Sequence, residues 1–78
     1  MTKAFVLINV EPGNEENLLK DLKNIENIKE AYQIYGVYDM IANVEAGNKE
    51  ELKEIVAFKI RQLNNVRSTL TMIATEEI

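Results

Sequence analysis

The sequence has no cysteine and no histidine, and these two absences narrow its chemistry most. Without cysteine there is no disulfide, no thiolate nucleophile, no iron–sulfur cluster and no cysteine zinc site. Without histidine, the commonest general base and the commonest transition-metal ligand are missing too. Triad chemistry is nearly excluded, so no catalytic residue, metal ligand or cofactor is expected and the chain is read as a non-enzyme. Positive charge is also scarce. Nine Lys+Arg stand against thirteen Asp+Glu, for a formal net charge of −4. Phosphate neutralisation needs a clustered basic face, so no direct binding to nucleic acid is expected. Attachment to a membrane surface fails for the same reason, and no apolar run approaches the ~20 residues of a spanning helix. One lysine precedes the first apolar stretch and no small-residue cleavage site follows it. A signal peptide is therefore not expected, and a cytoplasmic location is the default.

What is present reads as one small globular domain over residues 1–78. Hydrophobic residues make up 46% and charged residues 28%, with one proline and three glycines, which argues against disorder or low complexity. A chain this short buries only roughly 60–65% of its unfolded surface, so its stability alone is marginal.

Six elements follow one another. Residues 3–10 form a strand around Phe5-Val6-Leu7-Ile8, closed by Glu11-Pro12-Gly13. Asn14 stands as a helix cap with Glu15 and Glu16 in the first turn, and Leu18, Leu19, Leu22 and Ile25 mark the apolar stripe of a helix over 15–24. A strand over 28–35, a tight turn at Gly36-Val37 and a strand over 38–44 come next. Asn48 caps a second helix, with Glu51 where a capping box places it, and Leu52, Ile55, Val56, Ile60 and Leu63 mark its stripe. Asn64-Asn65 ends that helix, and the last strand covers 66–75.

The order β-α-β-β-α-β is that of a ferredoxin-like α+β sandwich, a four-stranded antiparallel sheet with both helices on one face. Right-handed crossovers place strands 1 and 3 in the centre. Polarity agrees. Strand 1 is apolar on both faces, with Ala4, Val6, Ile8 and Val10 on one and Phe5 and Leu7 on the other. Two helices cover one sheet face only, so the face bearing Phe5, Leu7 and Ile41 needs another cover. A second copy packed sheet to sheet by two-fold symmetry supplies it, and the expectation is an obligate homodimer.

Two motifs carry the candidate chemistry. Tyr35-Gly36-Val37-Tyr38-Asp39 spans the middle turn, where Gly36 can take a positive φ and leave neighbouring N–H groups approachable. Such N–H groups hold a small carboxylate, and Asp39 can accept from an ammonium group, so together they suit a free amino acid. The same residues also make an ordinary hairpin turn with Asp39 bonded to local backbone. Ser68, Thr69 and Thr71 put hydroxyls on an edge strand, where they complete a polar pocket or simply serve strand propensity. The carboxylate pairs Glu50-Glu51 and Glu76-Glu77 lie on a helix start and a tail, with no cleft to suit glycosidase chemistry.

The element order, the 35–39 turn after Ala31-Tyr32, and the strand Val66-Arg67-Ser68-Thr69-Leu70-Thr71 carry a resemblance over essentially the whole chain. The chain resembles the effector-binding domain of the Lrp/AsnC family of transcriptional regulators, also called the RAM domain (regulation of amino-acid metabolism). The resemblance implies an amino-acid effector bound between neighbouring dimers, in a pocket lined by Gly36, Val37, Tyr38 and Asp39 with Ser68, Thr69 and Thr71. It also implies dimers that assemble into higher-order rings, of the dimeric α/β-barrel type. Full-length members carry an N-terminal helix-turn-helix domain, and here strand 1 begins by Lys3. A stand-alone effector domain is therefore expected, one that senses amino acids alone or modulates full-length relatives by mixed assembly. The rival readings are a small dimeric α/β-barrel enzyme relying on Asp39, tyrosine or asparagine, and an ACT-like amino-acid sensor. An RNA-binding domain of this element order needs stacking aromatics and basic residues that strand 3 lacks.

Overall fold

Strict alternation in the two central strands sets the architecture. In the computed structural model, which describes residues 1–76, β1 (Thr2–Val10) buries Ala4, Val6, Ile8 and Val10, and β3 (Met40–Ala46) buries Met40, Ala42, Val44 and Ala46. Glu77 and Ile78 lie outside the described residues, and with them the Glu76-Glu77 pair. The other elements are α1 (Glu15–Lys23), β2 (Ile28–Gln33), α2 (Lys49–Ile55), a π-helical turn (Val56–Ile60) and β4 (Val66–Ile73). The sheet is antiparallel with the order β2-β3-β1-β4. This is the ferredoxin-like βαββαβ sandwich, with β1 and β3 central as the crossover rule requires. Leu18 and Leu22 of α1 and Leu52, Ile55, Val56 and Ile60 of the second helical segment close the core over one sheet face. Each large aliphatic side chain so buried contributes about 1.5–3 kcal/mol.

The opposite face is bare of helices. Pairing register lays it out in rows: Glu30–Asn43–Phe5–Met72, then Tyr32–Ile41–Leu7–Leu70. Phe5, Tyr32, Leu70 and Met72 are exposed on it. No helix among the described residues is long and apolar enough to cross a membrane.

Four local expectations are corrected. The middle turn is wider than expected: β2 stops at Gln33 instead of Tyr35, β3 is displaced two residues along the chain to Met40–Ala46, and the 34–39 connection is closed by Ile34 N–H donating to Asp39 O at 2.9 Å. Tyr35 and Val37 have strand-forming side chains, but both are solvent-exposed, and a strand without packing gains little from propensity. Gly36 does not take a positive φ; Gly13 and Asn65 do, at 89° and 76°. Asn14 occupies the cap position of α1 without accepting from the helix, because its Nδ2 donates to the Glu11 and Pro12 carbonyls instead. The second helix does not run unbroken to Leu63. After Ile55 it widens, and Arg61 N–H donates to Val56 O at 2.9 Å, five residues back. The wide turn keeps both Val56 and Ile60 in the core.

Candidate ligand-binding site

The site begins where the β1–β3 ladder ends. Ile8 pairs with Met40, and beyond that pair Val10 has no strand opposite it on the β3 side. Asp39 fills the gap: its N–H donates to Ile8 O at 3.0 Å, and its Oδ2 accepts from Val10 N–H at 2.8 Å. The carboxylate thus stands in for the next strand carbonyl, held by a charge-assisted bond. Among the described residues Oδ1 has no hydrogen-bond partner, and Asp39 faces a cavity of about 510 Å³ lined with Asn9, Val10, Pro12, Arg67 and Ser68.

The other wall comes from a bulge. Asn9 pairs with Ser68 but Val10 pairs with Val66, so Arg67 is the extra residue on β4. Bulges re-aim side chains, and here Arg67 reaches toward Glu11, with Nε 3.6 Å from Oε1. Asn9 Nδ2 donates to Ser68 Oγ at 3.0 Å, leaving the serine hydroxyl hydrogen free to donate elsewhere.

Of the seven residues expected to bind a ligand, Asp39 and Ser68 line this cavity together. Thr69 and Thr71 line an adjoining one of about 510 Å³ with Arg61 and Val56, and Arg67 and Ser68 border both. Gly36, Val37 and Tyr38 line neither within one chain. Val37 is 90% exposed, and a Cβ on Gly36 would meet nothing within 4 Å. Sequence reasoning missed Asn9, Arg61 and Arg67. A polar Asn9 interrupting the apolar run from Ala4 to Val10, and an arginine abutting the Ser-Thr motif, were the available signals.

A smaller hollow of about 70 Å³ lies on the bare sheet face, lined by Phe5, Glu30, Tyr32, Ile41 and Asn43. Glu30 accepts from Tyr32 Oη at 2.7 Å and from Asn43 Nδ2 at 3.3 Å. The tyrosine bond, then the asparagine bond, hold the Glu30 carboxyl below its ordinary pKa, and the same Glu30 bond raises the Tyr32 phenol. Asn43 Oδ1 is buried there without a partner. No group of three or more Asp or Glu among the described residues is gathered to hold a metal ion.

Comparison with known proteins gives this geometry its setting. The family model for the Lrp/AsnC ligand-binding domain matches residues 3–78. A helix-turn-helix-type transcriptional regulator of Pyrococcus furiosus is 32% identical over 76 residues, which cover 94% of this chain and 51% of the regulator. The chain thus spans about half the length of the curated relatives it matches. A hypothetical protein of Pyrococcus horikoshii has a crystal structure superposing with a TM-score of 0.91 at 36% identity, over 99% of this chain and 93% of that one. A transcriptional regulator of Neisseria meningitidis, crystallised as an L-Met complex, shares the fold at 11% identity and a TM-score of 0.90, over 99% of this chain and 51% of that one. With a family model covering nearly its full length, the chain belongs to the Lrp/AsnC ligand-binding domain family.

Proposed function

We propose that this chain is an amino-acid-sensing effector module that works as a sheet-to-sheet homodimer and serves regulation rather than catalysis. The observation that carries the reading is Asp39. One carboxylate oxygen is fixed on Val10 N–H, and the residue lines a polar cavity. A carboxylate pinned in this way is a preorganised acceptor for an ammonium group. Ser68 adds a hydroxyl beside it, and the Gly36, Val37 and Tyr38 backbone offers N–H groups for the ligand carboxylate. Since these three residues line neither of the two cavities described above, the pocket in this reading is completed by a neighbouring dimer in a ring. Thr69 and Thr71 stand one cavity further along β4. The L-Met complex of the Neisseria regulator supports a free amino acid as the ligand class. Assembly with full-length helix-turn-helix relatives is the route by which such a module reaches transcription.

Calorimetric titration with each of the twenty amino acids tests the reading. At least one is expected to bind in the micromolar to millimolar range of a metabolite sensor, roughly −4 to −8 kcal/mol. No heat from any of them at millimolar concentration overturns it.

A further inference from the structure

The chain has two arginines, and each stands at a backbone irregularity. Arg61 follows the π-helical turn, its N–H bonded to Val56 O rather than to Ala57 O as in an α-helix. Arg67 is the extra residue of the β4 bulge. Wide helical turns and bulges are both enriched at functional sites, where they redirect side chains. Here the two irregularities open on one groove, the cavity of about 510 Å³ between the π turn and the outer edge of β4.

The charged groups of the groove are all cationic. Its polar lining is Arg61, Arg67, Ser68, Thr69 and Thr71, with no carboxylate. Arg61 has no ion-pair partner among the described residues, and Arg67 reaches Glu11 only at 3.6 Å, beyond hydrogen-bond length. The edge adds main-chain donors. Ala74 N–H bonds to Lys3 O directly opposite, so even-numbered residues of β4 turn their backbone groups toward β1. Alternation then turns the N–H groups of Thr69 and Thr71 outward together with their carbonyls, and the N–H groups are the ones an anion engages. A planar carboxylate is satisfied by one bidentate guanidinium. Two guanidinium groups from separate elements, with hydroxyls and N–H groups between them, surround instead an ion with acceptors on several sides.

We propose that this groove binds a multiply charged oxyanion of the phosphate class, at a site separate from the Asp39 cavity although Arg67 and Ser68 border both. The inference goes beyond amino-acid sensing and gives the module a second, anionic input.

The probe is inorganic phosphate, titrated at constant ionic strength against chloride and read from the amide shifts of Thr69 and Thr71 and the Arg Nε–H signals. Saturable shifts with phosphate and none with chloride are expected. Arg61→Gln should weaken binding about tenfold or more, as loss of a charge-assisted bond does. Asp39→Asn should leave phosphate binding unchanged, so failure of the amino-acid reading and failure of this one are told apart. Wild-type shifts that follow ionic strength alone overturn the proposal without any variant. So does wild-type phosphate affinity in an Arg61→Gln/Arg67→Gln double variant, which would leave the arginines as cover for Val56 and Val66.

Discussion

Asp39 has one oxygen committed to the sheet, and substitution can separate that bond from the proposed contact with a ligand. Oδ2 completes the sheet by accepting from Val10 N–H at 2.8 Å, and Asp39 also lines the cavity. Asp39→Ala removes both, leaving a half-buried N–H unpaired, so it should lower stability by about 1–3 kcal/mol as well as abolish ligand binding. Asp39→Asn keeps a neutral acceptor for Val10 and loses only the charge. Its melting temperature should stay near wild type, while amino-acid affinity falls roughly ten- to hundred-fold. Melting curves and titrations on the two variants together decide the matter. If Asp39→Asn binds like wild type, the residue is a sheet terminator and the ammonium site lies elsewhere. Gly36 is the contrasting residue. With no positive φ and open space around it, Gly36→Val should leave the fold intact, and a loss of ligand binding would then support the proposed pocket completed across dimers.

At the level of elements, the two helix starts resemble each other in sequence and differ in chemistry. Asn48 Oδ1 accepts from Glu51 N–H at 2.8 Å, whereas Asn14 turns its side chain back to the Glu11 and Pro12 carbonyls. Asn48→Ala should therefore cost about 1 kcal/mol in urea denaturation, and Asn14→Ala much less. Equal losses at the two positions would sink this assignment. The pair also marks the boundary of what sequence can say. Element order, central strands and buried stripes were legible because alternation in Ala4, Val6 and Ile8 and helical spacing from Leu52 to Ile60 are repeated signals. Single-residue events were not. The π turn hides because Leu52, Ile55, Val56 and Ile60 fit an ordinary helix equally well. The β4 bulge hides because an inserted Arg67 changes no pattern long enough to read. Asp39 and Ser68 were legible through their motifs, but their cavity is built at that bulge, so its Asn9 and Arg67 walls were not.

On the scale of the whole molecule, the decisive surface is the sheet face opposite the helices. Leu7 sits at its centre between Ile41 and Leu70, with Phe5 between Asn43 and Met72 in the next row. A chain of 78 residues with a single helix-covered core gains much from covering such a face. Two-fold packing would set each apolar row against its counterpart. Leu7→Glu places a charge in the middle of this face, and burying it unpaired is prohibitive. The wild type should run as a dimer in size-exclusion chromatography with light scattering. Leu7→Glu should run as a monomer with a markedly lower melting temperature. Asn17→Glu on the outer surface of α1 is the matched control in size of charge change, and it should remain dimeric. A wild-type protein that stays a stable, folded monomer at micromolar concentration would show that the single core suffices. The sheet face would then need a different partner, and a pocket completed across dimers would lose its foundation.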